Sequence, residues 1–404
     1  MDGVGDGRPV ATGCPFCYIL YDKNYTKQKE KYMVMQEINP LKMASLHIVY
    51  DNMCPLEEKD GRRGVFHLIE HLIGVLFDPL LPELHEYAIN DDMSTTHEHV
   101  TISFSGTADA IELFAPRIMY TIATASSSKI SKEMFEMERD AVYNEMRELD
   151  ADFYADTIRT GLRKVYGIHS PEGDIEDIRA YTYEQFKKDF DELVPHPTNI
   201  CYVGPRNIDL PDLRKQPYNI GKYPKFPFKA DSKARRSDIN TNDDSVVVSA
   251  FSTKPVMTNK EYAALNIACY LLGGSPESVM YDELRVKHHL VYSCSSSVEP
   301  FRTAAVPMFY TSAAGRDARQ VISIMKKIFS DPVKYLDEDK FNKCKHMFDN
   351  VLEQQRIMRF TAPGALTRYN MITDTLDTRD ITYRYMLRIA KKYIGKDTFR
   401  FFAG

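Results

Sequence analysis

A five-residue motif in an apolar segment constrains this chain more than any other feature. It reads His67-Leu68-Ile69-Glu70-His71, and the residues on both sides of it are mostly apolar, which predicts a partly buried helix. On a helix, His67 and His71 are one turn apart, so both imidazoles project from one face. The alternative is a surface helix that carries these residues by chance, but buried His and Glu need partners. We therefore expect two ligands of one tetrahedral zinc ion, with Glu70 placed to act as a general base.

A third ligand is needed because two histidines do not close a zinc site. Residues 131–153 are rich in helix formers and lack Gly and Pro, and Ser131 is a good N-cap. Glu138 and Glu145 lie seven residues apart, and hence on a common helix face. The alternative for any Glu of this segment is a solvated helix face. The apolar stripe of the predicted helix comprises Met134, Met137, Ala141, Val142 and Met146.

Taken together, these motifs resemble the pitrilysin/insulysin family of zinc metallopeptidases, which includes the mitochondrial processing peptidase. In that family the same motif is followed by a Glu-x6-Glu helix at a similar distance, and here 74 residues separate His71 from Glu145. The resemblance implies one Zn²⁺ per chain, bound by His67, His71 and Glu145. It also implies that Glu138 supports the metal site without binding the ion.

The resemblance extends over nearly the whole chain. Residues 183–204 are similar to the helix and strand that close the family's first domain, and residues 263–275 are similar to a helix with a Gly-rich turn. Arg285 and Tyr292 match an Arg/Tyr pair that faces the bound peptide in active members. The chain departs from the family pattern in residues 72–79, and also at Asp92-Met93, where the family has Asn-Ala before an edge strand.

The function implied by the resemblance is a zinc endopeptidase that hydrolyses unstructured peptides or protein segments. Glu70 would act as its general base, and Arg285 and Tyr292 would hold the peptide. The alternatives are a non-catalytic structural or assembly subunit on the same fold, and a subunit active only with a related partner. In four-domain members of the family the zinc lies in the first domain and the Arg/Tyr pair in the last, whereas this chain has the length of two domains. The resemblance therefore implies a homodimer or a heterodimer with a related subunit, in which the Arg/Tyr pair is supplied by the other chain.

The order of predicted elements indicates an α+β fold. Strand runs followed by helix runs predict two homologous domains, each a mostly antiparallel sheet with helices packed on one face. Pro and charged residues concentrate between the two halves, which predicts a zinc-binding catalytic domain at 1–204, a linker at 205–243 and a second domain at 244–404. The predicted strands are residues 31–38, 44–51, 97–106, 245–252, 291–299 and 304–313. The predicted helices are residues 64–77, 109–125, 131–152, 181–193, 258–272, 276–287, 316–330, 336–357 and 379–393, and 153–180 is also largely helical.

Composition narrows the class of protein. With 52 basic and 57 acidic residues the net charge is -5, which gives no support for a nucleic-acid partner. We expect no membrane span, because no apolar run approaches the required length. The N-terminal sequence lacks the features of a signal peptide or a transit peptide, which predicts a cytoplasmic location.

The cysteines and the remaining histidines are interpreted as structural. Seven Cys without a signal peptide do not indicate a disulfide framework, and Cys14 and Cys17 form a lone C-x-x-C that we interpret as an ordinary reduced pair. His97 and His99 alternate within residues 95–104, which predicts a strand with both side chains facing solvent.

Overall fold

The computed structural model describes residues 34–38, 42–151, 153–211, 213, 246–251, 254–255, 258–301, 304–357, 378–395 and 400–403. These residues form two α+β domains, each built on an antiparallel or mostly antiparallel sheet, so the predicted fold class is confirmed. Cys14, Cys17 and most of the predicted linker lie outside the described residues.

The sheet of the first domain has the order β1-β5-β2-β4-β3. Its strands are β1 (Val34–Ile38), β2 (Met43–Tyr50), β3 (Asn90–Thr95), β4 (Val100–Thr107) and β5 (Asn199–Gly204). The pairing of β1 with β5 is parallel, and the other pairings are antiparallel. Because side chains alternate along a strand, Leu46 and Ile48 of β2 share one face of the sheet and lie in the domain core.

The helices of the first domain are α1 (Val65–Phe77), α2 (Leu81–Glu86), α3 (Ala108–Ala123), α4 (Lys132–Ala151), α5 (Phe153–Tyr166), α6 (Ile175–Ala180) and α7 (Tyr183–Leu193). All of them except α5 contribute side chains to the core on that face of the sheet. Leu68 and Leu72 of α1 and Ile111 and Ile118 of α3 are fully buried in the core. Each such side chain stabilises the fold by about 1.5 to 3 kcal/mol. The motif helix is therefore fixed in place by the apolar residues between its polar ones.

The second domain repeats the pairing pattern of the first. Its strands are β6 (Val246–Phe251), β7 (Lys254–Pro255), β8 (Val291–Phe301), β9 (Ala304–Ala313) and β10 (Arg400–Ala403). Strand β6 lies between β9 and β10 as β2 lies between β4 and β5, and β8 pairs with β9 as β3 pairs with β4. Its helices are α8 (Asn259–Cys269, continued by a π-helical turn at Tyr270–Gly274), α9 (Tyr281–Lys287, π-helical), α10 (Ala318–Ser330), α11 (Glu338–Ile357) and α12 (Tyr383–Tyr393).

Helix α5 connects the two domains. Leu162 and Tyr166 of α5 form one apolar cluster with Val306 and Met308 of β9. The neighbouring residue Phe309 belongs to the separate core of the second domain, as expected for strand alternation. The first domain thus supplies the helix that covers the outer face of the second sheet.

The strand predicted through His97 and His99 is wrong. Strand β3 ends at Thr95, β4 begins at Val100, and the residues between them form the turn of a hairpin. The Thr96 amide donates to the His99 carbonyl at 2.9 Å, and the Thr96 hydroxyl accepts from the His99 amide at 3.2 Å. His99 is buried, and the ring of His97 lies 5.4 Å from that of Phe301. The sequence misled because Thr and His alternate as in a strand, whereas the Thr96 side chain stabilises a reversal.

Other boundaries also differ from the prediction. The region 153–180 is two helices separated by residues 167–174, and the helix predicted from residue 276 is preceded by a turn at residues 275–278. The five described cysteines are free, and four of them are buried, as their interpretation as small apolar residues predicts. Within the described parts of the chain, no helix combines the length and apolarity needed to cross a bilayer.

Candidate metal centre

The N-terminus of α1 is fixed by a carboxylate from the preceding turn. Glu58 accepts hydrogen bonds from the amides of Gly64 at 2.6 Å and Phe66 at 2.9 Å. These amides belong to the first turn, where a helix has no internal acceptors for its N–H groups. Burial raises the pKa of Glu58 to about 7, although these amides and Arg62 act in the opposite direction. The cap sets the start of α1 and hence the direction of its histidines.

His67 and His71 face one point from consecutive turns of α1. Their ring centroids are 4.9 Å apart and their planes are nearly perpendicular, at 82°. Glu145 approaches from α4, with Oε2 at 3.6 Å from His67 Nε2 and 3.3 Å from His71 Nε2. The structure therefore brings together the three side chains that the resemblance implied as ligands.

These separations match those of ligands around one tetrahedral zinc ion. With metal–ligand bonds of ~2.1 Å, ligand atoms are about 3.4 Å apart. Two imidazole nitrogens and a carboxylate oxygen are also a common zinc donor set. The residues therefore fit the ion that the fold implies, and Glu145, whose side chain is 45% exposed, leaves the centre accessible from solvent.

Glu70 lies beside this cluster. Potential ligand atoms of His67, Glu70 and His71 all fall within 4.8 Å of one another. The Thr95 hydroxyl donates to Glu70 Oε2 at 3.0 Å, which joins α1 to β3. Burial raises the pKa of Glu70 to about 7, against the opposing effects of His71 and the Thr95 hydroxyl. A carboxyl group with this pKa exchanges a proton near neutral pH.

The second nitrogen of each imidazole faces away from the cluster. His71 Nδ1 donates to Glu138 Oε2 at 3.3 Å, a contact that would orient the imidazole of this predicted ligand. His67 Nδ1 is buried and, among the described residues, makes no hydrogen bond of standard geometry. Burial, followed by the nearby His71, lowers the pKa of His67 to about 4, while Glu145 and the main chain of Glu172 raise it. Both imidazoles are therefore directed toward Glu145, and His67 is held in the neutral form that binds metals.

A cleft of about 370 Å³ opens next to the cluster, between α1 and β3. It is lined by Glu70, His71, Gly74, Asp78, Leu81, Asp91, Asp92 and Met93. Strand β3 is an edge of the described sheet. The cleft is thus acidic and lies along a strand edge.

Arg285 and Tyr292 lie together in the second domain. The Arg285 guanidinium is 5.3 Å from the centre of the Tyr292 ring and donates to the Val291 carbonyl at 3.3 Å. Tyr292 is 81% exposed. The described contacts of this pair are with each other and with β8, and not with the histidine cluster.

Sequence reasoning missed three groups that hold the site or its helix in place. They are the Glu58 cap, the Thr95 hydroxyl and the main chain of Glu172. Thr95 was assigned to the wrong strand, and a main-chain group has no sequence signal. Glu133, Glu136 and Glu148 are exposed, as expected for a solvated helix face.

The second domain is similar to a known protein family. Residues 204–348 match the family model described as "Peptidase M16 inactive domain". A search of curated protein sequences found no match.

Solved structures of similar fold cover nearly the whole chain. A protease from Helicobacter pylori has a TM-score of 0.73 and 15% identity, covering 92% of this chain and 97% of that one. The peptidase M16 inactive domain from Pseudomonas fluorescens has a TM-score of 0.71 and 13% identity, with coverages of 92% and 94%. A chain of Complex III2 from Candida albicans has a TM-score of 0.65 and 12% identity, with coverages of 92% and 93%.

The interpretation of the chain as a metalloendopeptidase is wrong. The family model that matches is that of the inactive domain, and the similar structures include one with that description and one from Complex III2. The catalytic roles expected of Glu70, Arg285 and Tyr292 were part of that interpretation. What the comparisons show is a second domain similar to the peptidase M16 inactive domain, in a chain that has the fold of M16-like peptidases.

Proposed function

We propose that this chain is a non-catalytic subunit of pitrilysin/insulysin-like fold that binds one zinc ion in its first domain and pairs with a related subunit. The observation that supports the non-catalytic role is the match of residues 204–348 to the inactive domain. In this proposal, His67, His71 and Glu145 remain the metal ligands and have a structural role.

The metal part of the proposal is supported by the geometry of the cluster. The ligands come from α1 and α4, which are separated in the sequence by residues 78–131. Zinc bound there would cross-link the two helices and add its binding free energy to the stability of the first domain. Glu138 would hold His71 in the orientation that binding needs.

The partner part is supported by the surface around Arg285. Tyr292 and Val286 are large apolar side chains that are 81% and 54% exposed, and the Arg285 guanidinium lies against the Tyr292 ring. Tyr and Arg side chains at a surface of this kind are typical of protein interfaces. The similar chain from Candida albicans belongs to an assembly, Complex III2. We infer that this surface contacts a second subunit, most simply another copy of the chain.

The first test is of catalysis. Purified chain loaded with zinc is incubated with a library of unstructured, fluorogenic peptides, and Glu70→Gln is the matched control. We expect the two proteins to give the same background rate. Turnover by the wild-type chain that disappears in Glu70→Gln would contradict the non-catalytic role.

The second test is of association. Sedimentation at micromolar concentration should give twice the 46.5 kDa mass of one chain. Tyr292→Ala should weaken this association, whereas Tyr120→Ala, which removes a 69% exposed tyrosine of the first domain, should leave it unchanged. A wild-type chain that remains monomeric contradicts pairing with a second copy.

A further inference from the structure

We propose that the main-chain carbonyl of Glu172 positions His67 for metal binding by accepting a hydrogen bond from Nδ1, and that Gly64 and Gly173 are the residues that allow it to lie there. The inference rests on the proposed metal site and adds a positioning group to it.

The need for an acceptor follows from the direction of the ring. His67 Nε2 faces Glu145 at 3.6 Å, so the metal-binding lone pair is on Nε2 and the proton of the neutral ring is on Nδ1. Nδ1 is buried and, within the described chain, has no standard hydrogen bond. A buried N–H without an acceptor is costly, and histidine ligands usually donate their second N–H to a carboxylate or a main-chain carbonyl.

The Glu172 carbonyl is located at the N-terminal end of α1, on the side of His67. A Cβ atom built on Gly64 would lie 2.4 Å from this carbonyl oxygen, so the oxygen is close to the Gly64 main chain. His67 follows Gly64 by three residues, which places it on the same side of the first turn. The main chain of Glu172 also interacts with the His67 ring in the sense expected of an acceptor of its proton.

Two glycines make this approach possible. Gly64 and Gly173 have φ angles of +89° and +96°, and a Cβ on Gly173 would lie 2.2 Å from the Gly64 Cα. The two main chains therefore touch, and a side chain at either position would push residues 170–174 away from α1. L side chains rarely adopt this conformation, and the contact leaves no room for a Cβ atom.

Polar contacts also hold residues 170–174 in place beside the start of α1. The Asp174 amide donates to the Arg63 carbonyl at 3.3 Å, and Arg63 Nη1 donates to Asp174 Oδ2 at 3.2 Å. The Gly173 amide donates to the Ser170 carbonyl at 3.1 Å. The carbonyl of Glu172 is therefore part of a fixed structure, as a group that orients a ligand has to be.

The test compares two glycine substitutions of similar backbone strain. Gly64→Ala places a Cβ against the Glu172 carbonyl, whereas Gly61→Ala, at φ +82°, has nothing within 4 Å. We expect Gly64→Ala to weaken zinc binding by roughly 10- to 100-fold, measured by competition with a chromophoric chelator. Gly61→Ala should bind zinc nearly as tightly as the wild type. Thermal unfolding of both metal-free variants separates this effect from a general loss of stability.

A second measurement needs no variant of the loop. Nitrogen-15 NMR of the zinc-loaded wild-type chain should show a protonated His67 Nδ1 that exchanges slowly with solvent, the signal being assigned by its absence in His67→Ala. Equal zinc affinities of Gly64→Ala and Gly61→Ala, or rapid exchange of the Nδ1 proton, would overturn the inference. If the wild-type chain binds no zinc, both the proposed metal site and this inference are overturned, without any comparison of variants.

Discussion

Helices α1 and α8 occupy corresponding places in the two domains but bury different chemistry. Along the sequence, each helix follows an inner strand of its sheet (β2 or β6) and precedes the hairpin of that sheet (β3–β4 or β8–β9). Helix α1 buries His67 and Glu70 among its apolar residues, whereas the fully buried side chains of α8 include Leu265 and Ile267. Burial of ionisable groups disfavours their charged forms, which is why the pKa of His67 falls and that of Glu70 rises. The fold itself therefore does not require polar residues at this position, and the proposed metal site would account for their presence in α1.

The two domains also support different parts of the proposed function. The donor cluster lies wholly in the first domain, and the match to the inactive domain begins at residue 204 and lies almost entirely beyond the first. A shared fold does not transfer an activity, because activity depends on the groups at a site. The comparison of α1 with α8 therefore predicts that metal binding and pH affect the first domain, whereas α8 is held by apolar packing that metal does not affect.

The largest expected effect is the loss of zinc on removal of a ligand. His67→Ala should reduce zinc affinity roughly 10³-fold, since a structural zinc site contributes about 10 to 16 kcal/mol through all its ligands together. Metal content after gel filtration checks this. His288→Ala, an exposed histidine of the second domain, is the control and should retain zinc. Equal loss in the two variants would show that the two domains do not differ in the way proposed.

A core substitution in α8 should act independently of metal. Leu265 is fully buried, and Leu265→Ala should lower the free energy of unfolding by about 3 kcal/mol, through lost burial and the cavity that remains. Amide hydrogen exchange reports on the stability of each domain separately. A chelator should increase exchange in α1 and α4 of the wild type but not in α8, whereas Leu265→Ala should increase it in α8 with or without zinc. Chelation that loosens both helices alike would remove the distinction.

The pH dependence of the first domain should come partly from a buried histidine of its sheet. His47 of β2 is fully buried between the hydroxyls of Ser45, at 2.9 Å, and Ser103, at 3.0 Å, and burial lowers its pKa to about 3. Below its ordinary pKa of 6.5, the unfolded chain binds a proton that the folded chain does not. The contribution of His47 to the free energy of unfolding is thus fully present above pH 6.5 and is lost as pH falls toward 3.

The measurement is denaturant unfolding of the metal-free protein. From pH 7 to pH 4.5, His47 should lower the free energy of unfolding by about 2 to 3 kcal/mol, at about 1.4 kcal/mol per pH unit below 6.5. His47→Gln should show a correspondingly weaker pH dependence, and His85→Gln, which alters an exposed side chain, should behave like the wild type. Parallel pH profiles for the wild type and His47→Gln would mean that the buried imidazole does not contribute.

The sequence was sufficient to bring the predicted ligands together. One helical turn places His67 and His71 on one face of α1, and two turns place Glu138 and Glu145 on one face of α4. The four side chains therefore come together once these two faces pack against each other. The phase of α4 was less predictable. Met137, assigned to the apolar stripe, is 64% exposed, and Phe135 is buried in its place. Phe135 packs on Phe186 at 5.2 Å, a contact from α7 that no local pattern reveals.

The supporting contacts of the site could not be predicted for a related reason. The Glu172 carbonyl and the Glu58 cap depend on how two distant turns meet at the start of α1. The Thr95 hydroxyl depends on the register of a hairpin that the sequence pattern concealed. Ligands are side chains with a periodic signature, whereas the groups that orient them are fixed by tertiary structure.

The smallest expected effect concerns Glu138, which contacts a ligand without being one. Its carboxylate accepts from His71 Nδ1 at 3.3 Å, so Glu138→Ala should leave all three ligands present but reduce zinc affinity about tenfold, through a less oriented and less basic imidazole. Glu133→Ala, which changes an exposed residue on the first turn of α4, is the matched control and should bind zinc like the wild type. Competition with a chelator measures both affinities. If Glu138→Ala lost zinc as completely as His67→Ala, Glu138 would itself be a ligand, and the assignment of Glu145 would have to be revised.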